Sequence, residues 1–195
     1  MRLILKLLLV AVLLAPAAGY WLTRPDRVDP ELLAGLTPDP DRGETLYYAG
    51  GCASCHAAPD AEGEDKLVLA GGHRIDSDFG TFVAPNISPD PEHGIGGWTA
   101  LDLANAMLRG VSPEGRHYYP SFPYTSYVHV SGQDIVDLKA FLDTLPAADT
   151  PNKGHELGFP FTLRRGIGLW KTLYLSDDYV LRNAATDPVE RGRYL

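Results

Sequence analysis

GGCASCHAAP, residues 50–59, contains both cysteines of the 195-residue chain. Cys52 and Cys55 are separated by two residues, and His56 follows directly. Four chemistries use such a pair: a zinc site, a disulfide, a redox dithiol, or two thiols that tether a haem above a neighbouring histidine. The rest of the sequence has to choose among them.

A structural zinc site needs about four ligands, usually as two spaced pairs. There is no second cysteine pair, and His73, His93, His117, His129 and His155 form no H-x₃₋₅-H pair. A redox C-x-x-C opens a helix after a strand in a βαβ pattern, and nothing before residue 50 reads as a strand. A disulfide across two intervening residues is strained and leaves His56 without a purpose. Covalent haem accounts for all three residues. The two thiols add to the two vinyl groups, the spacing spans one helical turn, and the adjacent imidazole falls beneath the iron. The expected cofactor is haem c, one per chain, held by Cys52 and Cys55 and ligated by His56.

The N-terminus agrees with that chemistry, because attachment of this kind happens outside the cytoplasm. Arg2 and Lys6 precede a charge-free run from Leu7 to Leu22. Small residues at Ala17 and Gly19 suit signal cleavage. Leu3 to Leu22 is also long enough to span a bilayer, with Tyr20 and Trp21 at its interface. Residues 1–22 are therefore a signal peptide or a membrane anchor. Either places the chain from residue 23 onward on the periplasmic side of a bacterial inner membrane, anchored or released. The formal net charge is −8, which argues against nucleic acid as a partner and suits docking to basic surfaces. Sixteen prolines and 20 glycines predict long ordered loops.

Three helices are legible. The first runs from the acidic start at Asp39 and Asp41 through Gly43, Leu46 and Tyr47 on one face, and breaks at Gly50-Gly51. The second spans 98–110, capped by Thr99 with Asp102 at N3, and ended by Gly110. Leu101, Ala104 and Leu108 share its face. The third spans 131–146, capped by Ser131, with Ile135, Leu138 and Leu142 as its stripe and Pro146 as its stop.

A short helix leading into C-x-x-C-H, a long loop and a closing helix resemble the plan of a class I cytochrome c. Within that class the chain is similar to the cytochrome c subunits of bacterial membrane-bound alcohol, aldehyde and gluconate dehydrogenases, and more so to the related diheme cytochromes. The resemblance rests on AGGCASCH (49–56), LVLAGG (67–72), FGTFVAPNISPDPEHGIGGWT (79–99), LRGVSPEGRHYYPSFPYTSY (108–127) and DLKAFLDTLP (137–146), and covers roughly residues 38–175. It implies an all-α cytochrome c fold with long Pro/Gly-rich loops behind the N-terminal segment. It implies a carrier of single electrons between a dehydrogenase and another cytochrome, a quinone or a terminal oxidase, with a haem enzyme or a gas- or peroxide-binding protein as the alternative. Pro85, Asn86 and Pro89 fix a turn-rich loop. Trp98, Asn86 and Arg74 are the candidate donors to the haem propionates, with core packing the other reading of Trp98.

The family resembled places a sixth ligand, methionine, in the loop before the last helix. The corresponding positions hold Phe122 and Val130. Three readings stay open: His129 beside that position, Met107 in the second helix, or no protein ligand. The last would leave a site for peroxide, nitric oxide or carbon monoxide.

By this reading residues 23–37 are a linker and 38–146 the haem domain. Residues 147–195 are an extended tail, beginning with a polar connector. Within it FTLRRGIGLWKTLYL (161–175) spaces Leu163, Ile167, Trp170 and Leu173 as on a helix, against Gly166 and Gly168. It either docks to a partner or to headgroups, or packs on its own domain with its charges facing water. The final ERGRYL (190–195) echoes DRGETL (41–46), as if leading toward a second haem domain.

Overall fold

The computed structural model describes residues 2–175 and residue 189. ERGRYL lies outside the described residues. The α-helices are α1 (Arg2–Leu22), α2 (Pro40–Ala49), α3 (Ala53–His56), α4 (Ala100–Arg109), α5 (Tyr124–Tyr127), α6 (Gly132–Leu142) and α7 (Arg165–Tyr174). A small antiparallel sheet joins β1 (Arg74–Ser77), β2 (Gly80–Val83) and β3 (Glu156–Leu157).

The core forms where α2 crosses α6. Gly43 permits the approach: a Cβ there would collide with the Asp137 carbonyl and lie 2.8 Å from Phe141 Cβ. Tyr47 packs against Phe141 at a tilt, with ring centroids 5.3 Å apart. Tyr47, Ile135, Leu138 and Leu142 are buried, each worth roughly 1.5–3 kcal/mol relative to exposure. A polar latch closes the crossing. Asp39 caps α2 with its side chain, while its own backbone N–H donates to Asp137 Oδ1 at 2.8 Å. Gln133 Nε2 donates to the same oxygen at 2.7 Å, and Arg42 Nε lies 3.5 Å from Oδ2. Asp137 is fully buried, so these donors offset a desolvation cost of several kcal/mol.

The capping residues behave as their chemistry dictates. Thr99 Oγ1 accepts from Asp102 N, and Asp102 Oδ2 accepts from Thr99 N, which completes a capping box on α4. Gly110 ends α4 in the left-handed region at φ 57°, and a Cβ there would lie 2.6 Å from the Tyr124 ring. Ser131 caps α6. That helix stops at Leu142, short of Pro146. Turn bonds from Thr144 N to Phe141 O and from Leu145 N to Leu142 O take over first.

The β1–β2 hairpin is an addition to the expected helices. Its strands are four residues each and β3 is two, too short for an alternating pattern to stand out. The connector also differs from expectation. Ala148 is buried and its N–H bonds Ser88 Oγ at 3.0 Å, so this stretch packs on the domain.

Helix α7 forms despite its glycines, and packs on its own domain by a different face from the spacing-based one. Leu163 and Leu173 are exposed, and Ile167 and Trp170 are half-buried. Arg164 and Lys171 point inward, where Arg164 Nη1 donates to His117 O. Lys171 Nζ donates to Arg109 O and Gly110 O at 2.6 and 2.7 Å. The last carbonyls of a helix favour a cation, while burial lowers the Lys171 amine to about 8. The described side chains of α1 are exposed. The helix is long and apolar enough to cross a membrane, a test that a signal sequence also passes.

Candidate haem site

Gly50 caps α2, with its N–H on Leu46 O at 2.8 Å. Gly51, at φ 63°, then turns the chain into a new helical turn. Only glycine enters that region without strain. His56 N bonds Cys52 O at 3.1 Å and Cys55 N bonds Cys52 O at 3.4 Å, so Cys52, Cys55 and His56 ride one turn, α3. Residues three and four apart are neighbours on a helix surface. Both thiols are free and half-buried.

Burial pushes the Cys52 thiol up to about 11. A redox dithiol or a metal thiolate works in the opposite direction, through a lowered pKa. The described residues also contain no group of three or more His, Cys, Asp or Glu arranged to hold a metal ion. Two free thiols one turn apart, next to a fixed imidazole, are the donor set that covalent haem uses.

The imidazole is held from behind. His56 Nδ1 lies 2.8 Å from Pro85 O. A carbonyl can only accept, so Nδ1 carries the proton and Nε2 presents its lone pair. Burial lowers the pKa of His56, against the raising effect of the Pro85 bond, which keeps the ring neutral and able to ligate. Residue by residue, the site fits the haem that the sequence implies.

Sequence reasoning missed what holds Pro85 there. Gly71 N bonds His56 O at 2.7 Å, at φ 73°. A Cβ on Gly71 would lie 2.6 Å from both Pro85 O and Asn86 N. The backbones of residues 71 and 85 therefore meet only because residue 71 lacks a side chain. Gly71-Gly72 is visible in the LVLAGG run, but its partner is not encoded nearby.

Asn86 locks the other end of that loop. Its Nδ2 donates to Ala148 O at 2.7 Å and Thr150 O at 3.1 Å, and its Oδ1 accepts from Ser88 N. Asn152 Oδ1 accepts from Asn86 N at 2.7 Å. Both amide protons of Asn86 are thus committed to the protein. Arg74, on β1, makes a bidentate pair with Glu156 at 2.9 and 2.7 Å. The expected propionate donors Asn86 and Arg74 are side chains already engaged with protein partners. Trp98 is half-buried against the core, and its indole makes no hydrogen bond among the described residues.

On the α5 side, aromatic rings close in on the cysteines. Tyr127 OH donates to Gly50 O at 3.4 Å, and burial together with Cys52 and Cys55 raises its pKa. Phe122 packs between Tyr118 and Tyr127, with centroids at 5.8 and 6.1 Å. Phe122 and Val130 both pack against the core. His129 is half-buried in the loop between α5 and α6. Met107 lies inside the hydrophobic core on α4. Tyr127 was not singled out by sequence, although the aromatic run YYPSFPYTSY marks its neighbourhood.

A family model described as cytochrome c matches residues 40–146. The chain is 60% identical over 187 residues to a diheme cytochrome c-type protein of Cereibacter sphaeroides, across 96% of this chain and 63% of that one. It is 33% identical over 175 residues to the fructose dehydrogenase cytochrome subunit of Gluconobacter japonicus, across 88% of this chain and 35% of the relative. It is 33% identical over 157 residues to the cytochrome c subunit of a quinone-dependent alcohol dehydrogenase of Gluconobacter oxydans, across 79% and 32%. The chain thus spans less than two thirds of the length of each of these relatives.

Proposed function

The chain belongs to the cytochrome c family, and from that premise we propose that it carries single electrons from a dehydrogenase into a respiratory chain. The acceptor is another cytochrome, a quinone or a terminal oxidase. We place it on the periplasmic side of the bacterial inner membrane, with α1 as its tether. Likeness to cytochrome subunits of fructose and alcohol dehydrogenases supports electron transfer and a dehydrogenase partner.

The observation that carries this reading is the imidazole of His56, fixed by Pro85 O at 2.8 Å one turn from two free thiols. Haem c supplies a one-electron iron couple when bound. Cys52 and Cys55 hold the porphyrin at two points, and His56 Nε2 is the axial donor. The C-x-x-C-H motif occurs once, so one haem belongs to these residues. Trp98 is the donor left for a propionate.

His129 is the candidate for the sixth position. A second reading is favoured by Phe122 and Val130. The two places where a methionine was expected present carbon side chains packed on the core. If no protein atom takes the sixth position, the iron binds small ligands. Optical and EPR spectra of the purified holoprotein, oxidised and reduced, decide. A low-spin iron with a reversible one-electron couple supports the carrier. A high-spin iron that takes up carbon monoxide rapidly replaces it with the ligand-binding reading.

A further inference from the structure

Helix α7 carries large apolar side chains on the face turned away from its own domain. Leu169, Leu173 and Tyr174 are 49%, 64% and 70% exposed. The inward face is committed, through Arg164, Gly168 and Lys171, to His117 and the end of α4. Such a helix needs a reason to leave that much carbon uncovered, and its position supplies one.

Helix α7 touches the last turn of α1. Arg165 Nη2 donates to Tyr20 O at 3.0 Å, and its guanidinium lies 4.2 Å from the Tyr20 ring centroid. Thr172 Oγ1 donates to Leu22 O at 3.3 Å. A Cβ on Gly168 would collide with Thr23 O, so glycine at 168 is what lets the two segments approach. The glycine that weakens α7 as a helix is the one that docks it.

The depth of that contact follows from length. Twenty-one residues at 1.5 Å each make a rod of about 31 Å, the thickness of a bilayer's hydrocarbon core. If α1 spans, its last turn emerges at the headgroups, where tyrosine and tryptophan sit well. Whatever touches Tyr20 and Leu22 is then at headgroup depth. Arg24 and Arg165, both exposed, are placed to meet lipid phosphates there.

We propose that α7 is an interfacial helix, lying in the headgroup layer of the bilayer that α1 crosses, with Leu169, Leu173 and Tyr174 turned into the lipid. The haem domain, on which the segment after α1 is itself packed through Val28 and Leu33, is then seated on the membrane in one orientation. This rests on α1 being a retained anchor.

The test uses the full-length holoprotein in phosphatidylcholine vesicles containing phosphatidylglycerol. Haem occupies Cys52 and Cys55, so a spin label can be placed singly at Leu9→Cys, Leu173→Cys or Asp149→Cys. None of the three side chains is packed inside the protein, with exposures of 61%, 64% and 89%, so folding is not at stake. Collision with oxygen is compared with collision with a water-soluble nickel chelate. The chelate-to-oxygen ratio should fall several-fold below that of Asp149→Cys at both Leu9→Cys and Leu173→Cys. If Leu9→Cys is shielded and Leu173→Cys matches Asp149→Cys, the interfacial helix is overturned and the anchor stands, with the face left for a protein partner. If Leu9→Cys is itself open to the chelate, the anchor fails and the proposal with it.

Discussion

Behind His56, backbone and side-chain ties follow one another without a gap. Pro85 O meets the ring, Gly71 lets Pro85 approach, and Asn86 fastens the loop to residues 148 and 150. On the α5 side the cysteine turn is met by rings packed edge-on and at a tilt, with Phe122 between Tyr118 and Tyr127 and one long bond from Tyr127 to Gly50. The first side fixes an atom, and the second fills a volume. Cores tolerate exchange of apolar side chains when volume is kept, whereas the acceptor for the His56 Nδ1–H has to sit within hydrogen-bond reach of the ring. Phe122 and Val130 can therefore fill the α5 side as carbon, while the histidine side depends on where one atom sits.

The strongest way to break the comparison is at the attachment itself. Cys52→Ser with Cys55→Ser should abolish covalent haem, read as loss of haem staining on a denaturing gel. On the α5 side, His129→Ala should convert a low-spin spectrum to a high-spin one with the fold intact. An unchanged spectrum would take His129 out of the iron's coordination. Gly71→Ala puts a Cβ against Pro85 O at a left-handed φ. It should cost about 1–3 kcal/mol and let the imidazole be displaced at a less acidic pH in a spectroscopic titration. Asn86→Ala takes the amide donor from Thr150 O and the acceptor from Ser88 N. It should lower stability in thermal unfolding by about 1–3 kcal/mol, with a smaller change in the haem spectrum than Gly71→Ala. Were Gly71→Ala silent, the contrast between the two sides would collapse.

Much of this was legible because it is written in local code. The C-x-x-C-H turn, the Thr99–Asp102 capping box and the stripe of Ile135, Leu138 and Leu142 depend on residues within a turn or two of one another. What stayed hidden joins distant backbone. Pro85 O reaches His56 across 29 residues, and a carbonyl leaves no mark in a sequence. Asn86 read as a donor to a cofactor, yet its partners are the carbonyls of Ala148 and Thr150, in a stretch that composition presented as a connector. In α7 the apolar spacing put Leu163, Ile167, Trp170 and Leu173 on one face, for docking or for packing, and of these only Ile167 and Trp170 are half-buried. The carbonyls of His117, Arg109 and Gly110 instead drew Arg164 and Lys171 inward.

The bond from Asp39 N to Asp137 Oδ1 has a consequence at another scale. It joins the start of α2 to the middle of α6 across 98 positions, so one buried carboxylate closes a ring of chain that contains the whole cysteine turn. Neither helix can slide along the other without breaking that closure, and the haem turn inherits its fixed frame from an oxygen that never touches it.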